Sequence, residues 1–423
     1  MSHHSLEKLA EDARNGTLPA VSWVLPPKEW SEHPSASTPI EGAEFTARVL
    51  DALTANPDTW ASTVFFQTFD ENDGLFDHLP PSAPPSYNAD GTLAGKATLP
   101  LPGHYFDDHE DKYTSRDDTI TGTTRPFGLG PRVPMYVVSP WSKGGWVNSQ
   151  VFDHTSVGQF IEQRFGVTIP AISPWHRAVC GDLTSCFDFS KAADATFPAL
   201  PDVSGSGAIL AAHLKRGKAL PPRAAEALFQ ERGLRRSRAL PYLLHVDARI
   251  DKARNAITLD FINDGKAGAV FHVYDRSALD RIPRRYTVEA GKRIDDSWAA
   301  GSDGGFDLWV LGPNGFHRSF RGTLGTASVA ARLSARYDIK AHALRLDFAD
   351  TGAGKAVIGN DAYDPSASRG VTIAAGRATV ELWKLARDHG WYDLTVSQPG
   401  IEIRLAGRVE RGADGISDPL MFA

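Results

Sequence analysis

The sequence predicts an α/β region followed by two all-β modules. Three observations carry that reading. Helical and strand patterns alternate up to about residue 190, the composition then turns to linker, and the remainder contains an internal repeat.

In the first region "SLEKLAEDARNG" places Leu6, Leu9, Ala10 and Ala13 at helical spacing with Gly16 as the stop, and "AVSWVLP" reads as a strand. "GAEFTARVLDALTANP" puts Phe45, Val49, Ala52 and Leu53 on one helix face and ends at Asn56-Pro57, after which "STVFFQTF" reads as a continuously apolar strand. A third strand, "VPMYVVS", precedes "DHTSVGQFIEQRFG", where Asp153 or Thr155 caps a helix carrying Val157, Phe160, Ile161 and Phe165. Such alternation implies a doubly wound parallel sheet with helices on both faces.

From residue 191 "KAADATFPALPDVSGSG" reads as linker, followed by a helical "AILAAHLKRGKAL" and the basic "RGLRRSRALPY". The arginines between Arg232 and Arg238 suit either anionic lipid head groups or a brace between domains. Beyond them "YTVEAGKRIDDSW" aligns with "VTIAAGRATVELW", pairing Gly291 with Gly376 and Trp298 with Trp383, each 85 residues apart. Asp307 and Asp393, and Pro313 and Pro399, recur 86 apart. Alternating apolar residues such as Tyr286 and Val288, or Leu308 and Val310, argue for strands, hence two tandem β-sandwich modules. The expected boundaries are 1–190 for the α/β region, 191–239 for the linker with its helix, and 240–323 and 331–420 for the modules.

Composition narrows the function. The chain has 423 residues, 42% hydrophobic and 23% charged, an ordinary globular balance. A formal net charge of −6 argues against a protein built mainly to hold nucleic acid. No stretch approaches the roughly 18 apolar residues of a membrane span, and no signal segment opens the chain. Cys180 and Cys186 allow at most one bridge and read better as two unlinked thiols.

The stretch "TFDENDGLFDH", 68–78, brings several carboxylates to the end of an apolar strand. In open α/β sheets ligands sit beyond the carboxyl ends of strands, so Asp70 and Glu71 suit a metal ion. The alternative is a surface turn built on Asn72-Asp73-Gly74. A long Pro- and Gly-rich segment follows, in which Arg125 and Arg132 face an anion or simply solvent. Trp141, Trp146 and Trp175 are candidates for an aromatic box around a quaternary ammonium, or for packing.

Taken together, "VSWVLPPKEWSEHPSASTPIEG", "TFDENDGLFDH", "GLGPRVPMYVVSPWSKGGWVNSQVFDHTSVGQFIEQRFGV" and "PWHRAVCGDLTSCFDF" resemble the bacterial phosphatidylcholine-hydrolysing phospholipases C. Those enzymes are relatives of metal-dependent acid phosphatases with an alkaline-phosphatase-like core. The resemblance runs in order through most of residues 5–190 and continues into the tail, where the family also carries two copies of a small module. It implies that Asp70 and Glu71 are metal ligands for a divalent ion of open identity. It implies that His33 in "SEHP" contacts the phosphate or the leaving group, and gives His154 in "FDHTS" either a site role or a helix-entry role. His78 lies in a motif of the same family with a structural reading.

The implied reaction is metal-assisted cleavage of phosphatidylcholine to diacylglycerol and phosphocholine through a covalent phospho-enzyme. The alternatives are a phosphatase or phosphodiesterase of the same superfamily, or a non-catalytic lipid-surface-binding fragment. Family members begin with an Asn-containing acidic motif and a hydroxyl nucleophile, both upstream of the region matched here. The resemblance therefore implies a C-terminal portion with a partial alkaline-phosphatase-like sheet, little activity on its own, and the missing half as a partner. The other expected partner is phospholipid at a membrane or micelle surface. The full-length family protein is expected to be secreted or periplasmic.

Overall fold

The computed structural model of the protein describes residues 4–72, 74, 76–77, 79–107, 124–199, 201–217, 220, 223–224, 231, 233–325, 333–349 and 353–422. In chain order the first elements are α1 (Leu6–Asn15), α2 (Pro39–Thr54), α3 (Pro57–Trp60), β1 (Phe65–Thr68), β2 (Ser86–Tyr87), β3 (Leu93–Ala97), β4 (Tyr105–Asp107) and β5 (Thr124–Pro126). Next come β6 (Met135–Val138), α4 (Thr155–Phe165), α5 (Pro174–Val179), α6 (Ser206–Leu214) and β7 (Arg236–Ser237). Seven strands follow: β8 (Leu244–Asp251), β9 (Ala256–Asn263), β10 (Ala269–Asp275), β11 (Arg284–Val288), β12 (Arg293–Ala299), β13 (Gly305–Leu311) and β14 (His317–Thr323). A matching seven are β15 (Leu333–Asp338), β16 (Ala343–Phe348), β17 (Gly354–Asn360), β18 (Ser368–Ile373), β19 (Thr379–Lys384), β20 (Trp391–Gln398) and β21 (Ile401–Arg408), with β22 (Gly415–Ile416) after them.

The chain divides into two units. Residues 1–78, 131–144 and 186–230 form the first, and 79–130, 145–185 and 231–423 the second. In the first unit the expected helices form for the expected reasons. Gly16 takes φ +68° and closes α1 by donating to the carbonyls of Ala13 and Asp12. Pro39 opens α2, and the Thr38 amide donates to the Glu41 carboxylate at 2.7 Å. Val49, Leu53 and Trp60 make the core of this unit, with Leu6, Leu9, Phe45, Phe65 and Val138 packed against it.

The expected parallel sheet is absent among the described residues of this unit. β1 pairs antiparallel with β6, Phe65 opposite Val138 and Thr68 opposite Met135. A parallel return needs a crossover element such as a helix. Between β1 and β6 the described chain supplies only short strands and turns, so the return is antiparallel. Residues 20–26, expected as a strand, form none.

The second unit holds the repeat. β8, β9 and β12 make one three-stranded sheet and β15, β16 and β19 its counterpart, in the same order. The remaining strands of both copies join one sheet of ten, ordered β18-β17-β20-β21-β14-β13-β10-β11-β3-β2. The copies meet where β14 pairs antiparallel with β21, so the expected sandwiches share a continuous layer. The repeat extends to side chains. Gly291 and Gly376 both adopt positive φ, +72° and +67°, at equivalent turns. Arg284 lies over Trp298 and bonds Asp296, while Arg369 lies over Trp383 and bonds Glu381. At the seam Arg318 is fully buried, donating to the carbonyls of His317 and Ala406 and to the Tyr392 hydroxyl at 2.7–2.8 Å.

Phe320 is 1% exposed on β14, opposite Ile403 of β21. Phe320→Ala is expected to cost about 3–5 kcal/mol and to lower the stability of both copies together. Denaturant titration read by tryptophan fluorescence should show one transition moved to lower midpoint; two separated transitions would mean that the copies unfold independently.

Candidate functional site

The residues singled out from sequence fall in different units. In the first, His33 sits on the turn between Trp30 and α2. Its carbonyl accepts from the amides of Ala36 and Ser37, which folds Ser35 back onto the ring. The Ser35 amide donates to Nδ1 at 3.3 Å, and the Ser35 hydroxyl lies 3.0 Å from the same atom. A backbone N–H only donates, so Nδ1 is an acceptor and the neutral imidazole carries its proton on Nε2. The ring is exposed. Glu32, at φ +62°, brings its carboxylate against α2, where a Cβ at Gly42 would overlap it. Glycine at 42 lets the turn lie flat on the helix.

Asp70 and Glu71 follow β1 at an exposed bend, with the Glu71 amide donating to Asp70 Oδ1 at 3.1 Å. Two carboxylates make a hard oxygen donor pair, which fits a divalent ion of the Mg²⁺, Mn²⁺ or Ca²⁺ class. Among the described residues no third His, Cys or carboxylate gathers with them. Asp73 and His78 of the same stretch lie outside the described residues. Arg132 is spoken for by Asp77, which it grips with two hydrogen bonds of 2.6 and 3.2 Å.

In the second unit the structure assembles a group that sequence reasoning missed. Asp153, His176 and Cys180 present ligand atoms within 4.8 Å of one another. Asp153 stands at the entry of α4, its carbonyl accepting the Ser156 amide and its Oδ1 accepting the Thr155 hydroxyl at 2.7 Å. His176 Nδ1 donates to the other carboxylate oxygen, Oδ2, at 2.7 Å, and the Cys180 thiol also bonds this carboxylate. His176 and Cys180 are four apart on α5 and its cap, so one helical turn sets them on the same side.

Neighbours hold α5 in place. Ser173 caps it by accepting the His176 amide at 3.2 Å, and its hydroxyl lies 2.7 Å from His104 Nε2. Trp175 is fully buried, donates Nε1–H to the Thr287 hydroxyl, and packs perpendicular to the His176 ring. The Gly268 amide, ahead of β10, donates to the Ala178 carbonyl at 2.7 Å, and a Cβ at Gly268 would strike that carbonyl. Arg177 bonds both oxygens of Glu162 on α4, at 2.6 and 2.9 Å, tying the two helices together.

The charges follow from these contacts. Burial works to raise the Asp153 pKa, but hydrogen bonds from His176 and Thr155 outweigh it and hold the carboxyl below the usual range. Burial, and then the Asp153 carboxylate, push the Cys180 thiol far up. Burial and the nearby His176 lower the pKa of His104, favouring its neutral form.

The remaining expectations resolve individually. His154 is exposed at the N-cap of α4 and makes no side-chain cap bond; Asp153 beside it does the local bonding. Trp175 is interior and Trp146 stacks under Arg238, at 4.2 Å, so neither forms an open aromatic box; Trp141 packs on Phe189. Arg238 is buried and pairs with Asp414 inside the second unit. Cys180 and Cys186 are not joined by a disulfide. Among the described residues no helix is long and apolar enough to cross a membrane.

The Arg177 fork, with the Ile169 amide, holds Glu162 down to about 2 from an ordinary 4.5. Because the folded pKa is the lower one, this stabilisation is fully present above the unfolded value and is lost as pH falls through the folded one. Glu162→Gln should therefore unfold at lower denaturant than the parent at neutral pH, with the difference shrinking as pH falls from about 4.5 toward about 2. A difference independent of pH would remove the ion pair as its cause.

Sequence comparison adds relatives to this geometry. The chain is 46% identical over 432 residues to a non-hemolytic phospholipase C of Pseudomonas aeruginosa, covering all of this chain and 61% of that protein. It is 43% identical to a non-hemolytic phospholipase C of Burkholderia pseudomallei, covering 98% of this chain and 58% of the relative. It is 37% identical to a hemolytic phospholipase C of Pseudomonas aeruginosa, covering 100% and 60%. The chain thus spans about 60% of the length of these curated relatives. Such coverage, which takes in the whole chain, does not establish the missing N-terminal portion that the resemblance implied. By domain, residues 1–168 match the Phosphoesterase family, and residues 236–323 and 331–408 match the family described as bacterial phospholipase C, C-terminal domain.

Proposed function

We propose that the chain serves a phospholipase C reaction, cleaving the phosphodiester of phosphatidylcholine on the glycerol side to give diacylglycerol and phosphocholine. The observation that carries this reading is the exposed carboxylate pair Asp70 and Glu71 at the end of β1, inside the stretch that matches the Phosphoesterase family. The names of the relatives support the same reaction class.

Asp70 and Glu71 would hold a divalent ion, which when bound supplies positive charge against the phosphoryl oxygens. His33 has its proton on Nε2, the form that donates to a phosphoryl oxygen or to the departing glycerol oxygen. The Ser35 amide keeps the ring in that tautomer while leaving Nε2 to the substrate side. The reading requires His33, Asp70 and Glu71 to line one crevice. It takes the reaction through a covalent phospho-enzyme, with an attacking hydroxyl not identified among these residues.

Phosphocholine release from phosphatidylcholine vesicles, measured with added divalent metal, tests the proposal. His33→Ala should lower the rate by roughly 10²–10⁴, and the double variant Asp70→Ala, Glu71→Ala should abolish the metal-dependent part. Hydrolysis of a phosphomonoester without release of phosphocholine would favour the phosphatase alternative. Vesicle binding without hydrolysis of either ester would leave a lipid-surface-binding fragment.

A further inference from the structure

We propose that Asp153, His176 and Cys180 form a binding site for a soft divalent cation of the Zn²⁺ class, built from donors other than Asp70 and Glu71. A carboxylate oxygen, an imidazole nitrogen and a thiol sulfur converge within 4.8 Å. Tetrahedral zinc, with bonds of about 2.0–2.3 Å, holds its ligand atoms roughly 3.3–3.8 Å apart. The His176 Nδ1 and Asp153 Oδ2 atoms, now 2.7 Å apart, need to separate by roughly 0.6 Å or more when a cation replaces the proton between them.

Chemistry selects the class of ion. Mg²⁺ and Ca²⁺ want a shell of oxygens, whereas one thiolate, one imidazole and one carboxylate suit Zn²⁺. One carboxylate and one thiolate balance two positive charges, so the loaded site is neutral. Neutrality matters because the carboxylate is 10% exposed and Cys180 4%. The His176 side chain, 22% exposed, leaves a way in from solvent. On binding, the cation takes the place of the Nδ1 proton, which passes through solvent to Nε2 of the neutral imidazole, and Cys180 releases its proton to solvent. A fourth position remains for water.

An outer layer is also present. The Thr155 hydroxyl fixes Asp153 Oδ1 and leaves Oδ2 aimed at the cluster. Ser173 and Trp175 fix the turn of helix that carries His176. Such second contacts orient ligands before the ion arrives.

The test uses the purified full chain titrated with Zn²⁺ against a chromophoric chelator, and with Co²⁺ as an optical stand-in. One equivalent of Zn²⁺ should bind, and Co²⁺ should give a thiolate-to-cobalt charge-transfer band in the near ultraviolet. The band should vanish in Cys180→Ser and persist in Cys186→Ser and in the double variant Asp70→Ala, Glu71→Ala. Thr155→Val should weaken Zn²⁺ binding by about 10–100-fold, the range for an outer-layer contact. Absence of binding, or a band that survives Cys180→Ser or disappears with Cys186→Ser, overturns the proposal. Should Cys180→Ser fail to fold, alkylation of the parent chain decides instead: Zn²⁺ is expected to protect Cys180 selectively, and equal rates with and without Zn²⁺ overturn it. Neither readout depends on phosphodiester hydrolysis, so the two proposals fail separately.

Discussion

The second unit depends on one seam, the antiparallel pairing of β14 with β21. Equivalent edge strands of the two copies face each other there, His317 opposite Ala406 and Gly322 opposite Ile401. An unpaired edge is a liability for any sheet, and here each copy covers the other's. The seam also explains a buried arginine that, among the described residues, hydrogen-bonds to carbonyls and a hydroxyl and to no carboxylate. Arg318 reaches across to the Ala406 carbonyl and the Tyr392 hydroxyl and stacks on Phe316 at 4.1 Å, so carbonyls and a hydroxyl disperse its charge. Removing those acceptors would leave a buried cation without compensation, which is costly.

From that sheet the order passes to the helical corner. α5 docks beside β10 because Gly268 lets the Ala178 carbonyl approach without a side chain between them. Trp175 drives into the core below and bonds Thr287 of β11. Glu162 and Arg177 then hold α4 against α5, which brings Asp153 at the start of one helix to His176 on the other. Each contact is modest alone. Their effect is a carboxylate accepting from Thr155, His176 and Cys180 at once.

The two acidic sites differ in physical character. Asp70 and Glu71 are exposed to solvent, where two neighbouring carboxylates carry little desolvation cost. Asp153 is largely buried, ionised because donors converge on it, and beside a thiol that burial keeps protonated. Exposed oxygen pairs and buried mixed donors select different cations by hardness and by the cost of desolvation. His33 adds a third device, a tautomer set by a backbone amide within its own turn.

Local patterns in the sequence determined the helices, because capping and periodicity act within a few residues. Thr38, Pro39 and Glu41 at the start of α2 and Gly16 at the end of α1 are legible without any partner. The 85-residue repeat was legible too, down to Trp298 and Trp383, since each copy must rebuild the same core. Strand direction was not: "TVFF" and "MYVV" carry no mark of parallel or antiparallel pairing, and the connection between them decided it. Nor did either module's sequence announce that β14 would continue into β21. At the candidate sites, Asp70 and Glu71 stood out as a local motif, and His33 through the resemblance. The group of Asp153, His176 and Cys180 did not, although the His-x-x-x-Cys spacing on a short helix was a usable signal. Asp153 joins that pair from 23 residues away, and only the packing of α4 on α5 brings it within hydrogen-bonding range.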